Sequence, residues 1–516
     1  MLIIIEPQQS IAWLSISSLV ESFMDISPLV LVAITIASSL FLYLLFKKDY
    51  RGYNLPGGSL GFPLIGESIS FLRAQLQDRG DQWIHDRVLK HGPVFKTHMM
   101  GSPTFVITGQ PGNKFVFGAD YDIMSAKPPK TLAIVAGEYS LSDLPKPRYL
   151  LVKQGMVSFL KAESLQHHVK HMDRLIKASL LRESKDRDVV QAVQFMKNLT
   201  FEVACCVLFG VEDEVIIKGL MSDFAVAFKA FWSIPINLPG TNYTRGLAAR
   251  KRIVEKILPI IQKKKEELAN GTLSPRNDVI ACFLSIGGEN VVPLSDLEII
   301  DNFIFLMIAS HDTAANLSSM MIWKLARDKE IYNKIRDEQL NILAQRQGGD
   351  ETLTWMEVNK MKYTWSVAQE LMRVIPPLFG NFRTTTADTT FAGYDLPKGW
   401  QVFWVACETH MDKNFFENPA TFDPSRFEAK KPIPPCTYIP FGAGMHQCIG
   451  NEYARVKTLT IVHHLVTRFE WSQVNPNEKI SRQPLPYPST GLPIKLVSKP
   501  AVLINESNLL KILVVQ

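Results

Sequence analysis

The feature that most constrains this chain of 516 residues is a glycine-rich loop that carries one cysteine and stands directly before a helical pattern. The loop, residues 441–450, reads FGAGMHQCIG, and the amphipathic pattern begins near Asn451. Its glycines allow a bulky group to approach the main chain. The N–H groups and positive dipole end of the following helix favour a thiolate over a thiol. The loop therefore predicts a ligand thiolate at Cys448, with a packing cysteine as the alternative.

Composition excludes several classes of protein. Hydrophobic residues make up 46% of the chain, and 56 basic and 50 acidic residues give a net charge of +6. This mild basic excess is not the patch of a nucleic-acid binder, whereas it suits an anionic membrane face. The six cysteines show no CxxC pair, so neither structural zinc nor a disulfide framework is expected. Reduced thiols in a cytosol-facing protein fit best.

The N-terminal region predicts a membrane anchor. Residues 29–46 are uncharged and almost wholly apolar, close to the length that spans a bilayer. Lys47, Lys48 and Arg51 follow directly, so residues 1–28 are expected on the lumenal side and the rest in the cytosol. A buried core helix is the alternative. Residues 47–68 form a basic, proline-rich hinge, and the apolar tail 500–516 has no assigned role.

Residues 69–499 predict one mainly α domain with a small β region. Long helical patterns dominate, and strand-like runs occur only at 92–109 and 382–405. The best-defined helix starts near Asp296 behind a capping box of Ser295 and Glu298, and its apolar pattern continues to about Leu325. Its middle, residues 303–308, is apolar on all sides and is expected to be buried.

A polar cluster, Ala309-Ser310-His311-Asp312-Thr313, interrupts that apolar helix. Polar groups in a buried helix are costly unless they are bonded or functional. Two interpretations remain at this point. The side chains bond back onto their own helix, or they perform chemistry.

A second group of charged residues lies further along the chain. Glu370 and Arg373 are three apart and therefore share one helix face just before two prolines, and Arg426 follows within PSRF. On spacing alone the first two form a surface ion pair of small energetic value.

Together these motifs give the chain a resemblance to the cytochrome P450 monooxygenases over roughly residues 55–497. The loop matches F-x-x-G-x-[RH]-x-C-x-G, the polar cluster matches the oxygen-binding motif, and the charged residues match E-x-x-R and P-x-R-F. The resemblance implies a P450 fold and a haem b whose iron binds Cys448, within a loop shaped by Phe441, Gly444 and Gly450. A thiolate ligand favours O–O cleavage.

The resemblance also implies roles for the polar cluster. Ala309 leaves room for dioxygen, the Thr313 hydroxyl lies near the distal oxygen, and Asp312 links it to a proton supply. Ser310 departs from the family pattern, where glycine is common.

Further residues are implied to be structural or to hold the haem. Glu370, Arg373 and Arg426 form a buried triad that fixes the segment leading to the cysteine loop. The haem propionates are implied to contact His446, Arg383, and Tyr149 with Lys153, where Tyr149 departs from the usual residue.

The stretches 235–241 and 249–251 resemble the plant clan that oxidises steroids, triterpenes and taxanes. This implies a lipophilic polycyclic terpenoid or sterol as substrate, O2, and electrons from NADPH-cytochrome P450 reductase at the endoplasmic reticulum membrane. Candidate pocket walls include 132–139 and 224–232, where Phe228, Phe231 and Trp232 are either pocket or core.

Two other functions remain open. One is a haem-thiolate isomerase or dehydratase that uses no O2, which the presence of Thr313 disfavours. The other is a non-catalytic haem- or terpenoid-binding protein, which the intact pair of Asp312 and Thr313 also disfavours.

Overall fold

The structure is a computed structural model that describes residues 33, 36–38, 41, 52–61, 66–126, 130–142, 144–185, 187–231, 233, 236–288, 291–346, 351–428 and 432–499. The predicted lumenal segment 1–28 and the tail 500–516 lie outside these residues. So does most of the predicted anchor 29–46. Within the described ranges, no helix is both long and apolar enough to span a bilayer.

Helices form most of the described chain. In chain order they are α1 (Ser68–Leu76), α2 (Gly80–His91), α3 (Gly109–Gly118), α4 (Lys130–Ala136), α5 (Lys146–Leu160), α6 (Ala162–Leu165), α7 (Val169–Ser184), α8 (Ala192–Val203), α9 (Glu214–Phe231), α10 (Asn242–Ala269), α11 (Val279–Leu284), α12 (Asp296–Arg327), α13 (Lys329–Ala344), α14 (Trp355–Lys360), α15 (Lys362–Val374), α16 (Cys407–His410) and α17 (Asn451–Arg468).

The strands are short. They are β1 (Val94–Met99), β2 (Ser102–Ile107), β3 (Met124–Ser125), β4 (Val189–Gln191), β5 (Gly380–Thr385), β6 (Thr389–Phe391), β7 (Tyr394–Leu396), β8 (Gln401–Val405), β9 (Phe469–Gln473), β10 (Ile480–Arg482), β11 (Pro486–Pro488) and β12 (Pro493–Ser498). The largest sheet has the order β1-β2-β8-β5-β3 and is antiparallel except for the β2–β8 pair. The sheet β4-β12-β9 and the pairs β6-β7 and β10-β11 complete the β structure.

Both strand-like runs of the sequence contribute strands to the largest sheet, whereas β6 and β7 of the second run form a separate pair. β1 and β2 lie within the first run and β5 to β8 largely within the second. The parallel contact between β2 and β8, with Phe105 opposite Val402, joins them. The mainly α fold with a small β region is confirmed.

α12 runs through the main hydrophobic core. The predicted capping box is present. The Ser295 hydroxyl accepts a hydrogen bond from the Glu298 N–H, and the Glu298 carboxylate accepts one from the Ser295 N–H. Residues 303, 304, 306 and 307 are buried, as their all-round apolar pattern predicts. α8, α15 and α17 pack against this helix, so the segments that carry the motifs meet around it.

The described part of the predicted hinge is tied to the large sheet. The Lys96 backbone N–H donates to the Gly57 carbonyl at 2.8 Å, and the Lys96 ammonium donates to the Pro56 carbonyl at 2.6 Å. Asn54 and Asp395 bond reciprocally through their backbones and the Asp395 carboxylate. Residues 54–58 thus lie against the large sheet.

Candidate functional site

The cysteine loop is held in a shape that only glycine permits at one position. Gly444 has a φ of +68°, and a Cβ there would lie 2.0 Å from the Phe117 carbonyl oxygen of α3. The Cys448 N–H donates to the Phe441 carbonyl at 2.9 Å and closes the loop. Gly444 therefore supplies a left-handed backbone conformation and lets α3 approach the loop closely, whereas the approach of a bulky group to these glycines stays a prediction.

Cys448 alone among the six cysteines of the chain is exposed. Its thiol is nevertheless closely surrounded by protein, and this burial raises its pKa, although the Gly450 backbone N–H lowers it. The Gly450 N–H therefore favours a thiolate, as the loop sequence predicts, but burial opposes it and has the larger effect on the pKa of the free thiol. A metal ion that coordinates the sulfur deprotonates it.

Basic and aromatic side chains surround the loop. The Tyr149 hydroxyl donates to the Met445 carbonyl at 2.9 Å, and the Lys153 ammonium donates to the same oxygen. The His446 ring lies 5.0 Å from the Tyr149 ring. Arg383 of β5 is buried and donates to the Phe382 carbonyl at 2.9 Å. The structure thus brings together all four residues that the sequence suggested for the propionates.

The positive charges of Arg383 and Lys153 would attract an anion. In the described part of the chain, neither Arg383 nor Lys153 has a carboxylate partner. Burial lowers the pKa of Arg383 to about 10. Burial, with Arg383 and Lys153 nearby, lowers the pKa of His446 to about 4, so this ring is neutral at neutral pH.

On α12, Ala309 and Thr313 occupy an accessible face one helical turn apart. The Thr313 hydroxyl donates to the Ala309 carbonyl at 2.7 Å. This is the bond back onto the helix that the sequence left open. Because the side chain also remains accessible, the bond orients the hydroxyl without hiding it.

Asp312 points to a different group of residues. Its carboxylate lies 3.1 Å from the Lys197 ammonium of α8 and accepts the Tyr487 hydroxyl of β11 at 2.7 Å. The Tyr487 hydroxyl also lies 2.9 Å from the Asp312 carbonyl. Lys197 is partly exposed, so Asp312 connects the interior of α12 with solvent. Sequence reasoning missed both partners, which lie far away in the chain.

A buried lysine was also missed. Lys457 of α17 has no accessible surface, and its ammonium donates to the Ser310 carbonyl at 2.8 Å. Burial lowers its pKa to about 7. The contact joins α12 to the helix that follows Cys448. A lysine within an otherwise core-facing helical pattern was the only sequence signal. The Ser310 hydroxyl is buried and has no partner among the described residues.

The charged triad is buried as the resemblance implies, so the surface-pair interpretation is wrong. Glu370 and Arg373 have no exposed side-chain surface, and their two bonds are each 2.7 Å long. Arg426 Nε lies 3.5 Å from Glu370 Oε1. Arg373 further donates to the carbonyls of His410 and Pro419, each at 2.8 Å.

His410 extends this triad to the cysteine loop. Its ring Nδ1 lies 3.2 Å from the Arg373 carbonyl, and its Nε2 accepts the Ile439 N–H at 2.9 Å. These contacts define a neutral ring, and burial lowers its pKa to about 3. Ile439 stands two residues before Phe441, so His410 fixes the start of the loop.

The candidate pocket walls have mixed outcomes. Phe231 is a core residue with 2% exposure. Phe228 is partly buried, and its ring lies 5.3 Å from the ring of His311. Trp232 lies outside the described residues.

The residues present fit a haem. The accessible Cys448 thiol can serve as an iron ligand, and Arg383 and Lys153, which have no carboxylate partner among the described residues, can pair with two propionates. A mainly α fold with such a cysteine loop and an accessible Ala309/Thr313 face defines a haem-thiolate protein. Residues 56–497 match the cytochrome P450 family, and the chain belongs to that family.

The chain is 35% identical to taxane 13-alpha-hydroxylase of Taxus cuspidata, over 92% of this chain and 99% of that protein. It is 36% identical to beta-amyrin 28-monooxygenase of Medicago truncatula, over 89% and 95%. Protopanaxadiol 6-hydroxylase of Panax ginseng is also 36% identical, over 89% and 96%. The retinoic acid bound cyanobacterial CYP120A1 superposes with a TM-score of 0.77 at 27% identity and covers 87% of this chain. The protein is a cytochrome P450 monooxygenase whose cofactor is haem with a cysteine thiolate ligand.

Proposed function

We propose that this monooxygenase hydroxylates a hydrophobic polycyclic terpenoid or sterol, with Cys448 as the thiolate ligand. The substrate class is supported by similar proteins named for a taxane, beta-amyrin and protopanaxadiol, which are matched over nearly their whole length. The ligand assignment is supported by the accessibility of Cys448. Cys407, by contrast, lies buried in α16, where desolvation strongly raises its thiol pKa.

Haem iron with a thiolate ligand supplies the activation of dioxygen. One oxygen atom would enter a C–H bond, and the other would leave as water after taking up two electrons from NADPH and two protons, one of which comes from solvent. The chain's own residues must therefore bind the haem, orient the substrate and deliver protons.

On the haem-binding side, Arg383 and Lys153 supply positive charge for the propionates. Tyr149 and His446 add hydrogen-bonding groups beside them. Phe441, Gly444 and Gly450 shape the loop around the sulfur. Glu370, Arg373 and Arg426 fix the segment that leads into this loop and take no part in the chemistry.

On the oxygen side, one observation carries the proposal. Thr313 presents an accessible, oriented hydroxyl beside the small Ala309, and its neighbour Asp312 is paired with the partly exposed Lys197. Lys197 and Asp312 can move a proton inward from solvent, and the Thr313 hydroxyl can donate its own proton at the pocket and regain one by that route. An isomerase, a dehydratase or a binding protein needs no such arrangement, so these functions are less well supported.

The electron donor and the location complete the proposal. NADPH-cytochrome P450 reductase would supply the electrons, because the chain has no nucleotide-binding glycine motif of its own. The apolar run 29–46 would anchor the protein in the endoplasmic reticulum membrane, with the catalytic domain in the cytosol.

The test uses the full chain in microsomes with a plant reductase, NADPH and ¹⁸O2. Beta-amyrin, protopanaxadiol, a taxane and a plant sterol serve as candidate substrates. We expect one labelled oxygen per hydroxylation in at least one product. Conversion that needs no NADPH, or a product without the label, would contradict the monooxygenase assignment. Oxidation of none of these compound classes would contradict the proposed substrate class.

A further inference from the structure

Three side chains fasten residues 135–141, the end of α4 and the segment after it, to the neighbouring helices. Asp301 of α12 accepts the Tyr139 N–H at 3.0 Å, and Arg250 of α10 donates to the same carboxylate. Arg250 also donates to the Ala136 carbonyl at 3.0 Å. Asn302 accepts the Leu141 N–H and donates to the Tyr139 carbonyl, each at 2.8 Å. We call Arg250, Asp301 and Asn302 the latch.

The latch is buried, and its fit to the backbone is close. Asp301 is 1% exposed and Asn302 0%, whereas the Arg250 side chain is 17% exposed. Gly137 has a φ of +111°, and a Cβ there would lie 2.0 Å from the Asp301 carboxyl carbon. The carboxylate therefore reaches the main chain at a position that excludes any side chain.

This segment adjoins the oxygen-binding part of α12. Val135 is fully buried in a cluster with Ala230 and Phe231 of α9 and with Tyr243 of α10, and Ile308 packs against that cluster. Ile308 directly precedes Ala309, which lies on the accessible face of α12. Tyr139 on the segment and Ile134 directly before it remain exposed. Movement of residues 135–141 would therefore widen or narrow the space beside Ala309.

We propose that Arg250 is a positioning residue that, through Asp301, holds residues 135–141 as a wall beside Ala309 and thereby limits the entry of bulky ligands. Removing Arg250 leaves the buried Asp301 carboxylate without its cation. Because an unpaired buried charge is costly, we expect Asp301 to move toward water. The Tyr139 N–H then loses its partner, and the wall loosens. Small ligands need no such opening, so the effect depends on ligand size. The inference does not depend on the terpenoid proposal.

The first test is hydrogen–deuterium exchange of the full chain with haem bound. In the parent protein the Tyr139 and Leu141 amides are bonded to latch side chains and should exchange slowly. We expect Arg250→Met to accelerate exchange in peptides covering 137–142 by about tenfold, the effect of one charge-assisted hydrogen bond. Lys251→Met removes a charge from the adjacent, exposed position of α10 and should leave these peptides unchanged. Equal exchange in all three proteins would overturn the latch.

The second test compares two iron-binding azoles of different size, imidazole and clotrimazole, by stopped-flow absorbance. We expect Arg250→Met to raise the association rate of clotrimazole about tenfold and to leave that of imidazole unchanged. Unchanged rates for both azoles, or an equal change in both, would overturn the proposal.

If Arg250→Met does not retain haem, both experiments are carried out with Arg250→Lys instead. Lysine keeps the charge but lacks the planar fork that bonds Asp301 and Ala136 together. It should give smaller changes in the same direction. Parent-like exchange and clotrimazole rates in a folded Arg250→Lys protein would then overturn the proposal.

Discussion

Two pairs of polar side chains at the proposed haem site differ in how completely they are bonded: Glu370 and His410 on the cysteine side, and Thr313 and Ser310 on the oxygen side. On the cysteine side, Glu370 accepts three hydrogen bonds, two from Arg373 and one from the Asp423 N–H, and both ring nitrogens of His410 have partners. On the oxygen side and within the described residues, the Thr313 hydroxyl bonds only to its own helix, and the Ser310 hydroxyl has no partner.

This difference distinguishes residues that hold the structure from residues that take part in the reaction. Buried groups whose donors and acceptors are all hydrogen-bonded hold one geometry and have no free donor or acceptor for a substrate. Groups that are partly bonded can still exchange a proton or bind water. Substitutions on the cysteine side should therefore reduce haem content and stability, whereas those on the oxygen side should change the reaction and leave the fold intact.

The largest effect is expected for Glu370→Ala. This change leaves Arg373 buried without its carboxylate, at a cost of about 3–5 kcal/mol. We expect a severe loss of haem, measured as the ratio of haem absorbance to protein after purification. Glu452→Ala is the matched control, because Glu452 and Arg455 have the same spacing in a partly exposed pair. It should cost about 1 kcal/mol or less. Full haem content in Glu370→Ala would remove the distinction between the two sides.

Thr313→Val should have the largest effect on the oxygen side. Valine keeps the shape and removes the hydroxyl, so a proton donor worth about 10²-fold in rate is lost. Product formed per NADPH oxidised should fall, while haem content and thermal stability stay near those of the parent. Thr460→Val is the control, because Thr460 of α17 is buried and bonds to the Val456 carbonyl in the same back-bonded manner. A parent-like ratio in Thr313→Val would contradict the assigned role.

Predictions from the sequence were most successful for features that depend on residues close together in the chain. The capping box of α12 and the pairing of Glu370 with Arg373 depend on neighbouring residues, and the structure shows both, although the burial of that pair did not follow from its spacing. The partners of Asp312 could not be predicted in this way, because Lys197 lies 115 residues before it and Tyr487 lies 175 residues after it. The contact between the two strand-like runs, made by β2 and β8, could not be predicted for the same reason.

Acid should weaken the cysteine side through His410. Its pKa is about 3 in the folded protein and about 6.5 in an unfolded chain. The unfolded chain thus binds the extra proton first. The contribution of the neutral ring is complete above pH about 6.5 and is lost as pH falls toward 3, by about 1.4 kcal/mol per pH unit for one group.

His410→Gln isolates this contribution, because glutamine keeps an acceptor for the Ile439 N–H and does not titrate. Urea unfolding between pH 7 and 5 should show a smaller loss of stability in His410→Gln than in the parent. Parallel pH profiles would contradict the assignment.

Ser310→Ala should have the smallest effect. It removes a buried hydroxyl without a partner and should stabilise the protein by about 1 kcal/mol. Ser164→Ala is the control, because the Ser164 hydroxyl donates to the Ser158 carbonyl at 2.7 Å and its loss should destabilise by a similar amount. Thermal unfolding of both variants measures the contrast. Destabilisation by Ser310→Ala would show that the hydroxyl is bonded and that the oxygen side is as complete as the other.

The most direct test of the account is the carbon monoxide difference spectrum of the reduced protein with Cys448 replaced by serine. The parent protein should show the Soret band of thiolate-ligated haem, and Cys448→Ser should lose it. Cys407→Ala and Cys436→Ala, which change a buried cysteine and the nearest other cysteine in sequence, should keep it. A thiolate-type band that survives in Cys448→Ser, or that disappears in either control while haem is retained, would contradict the assignment of Cys448.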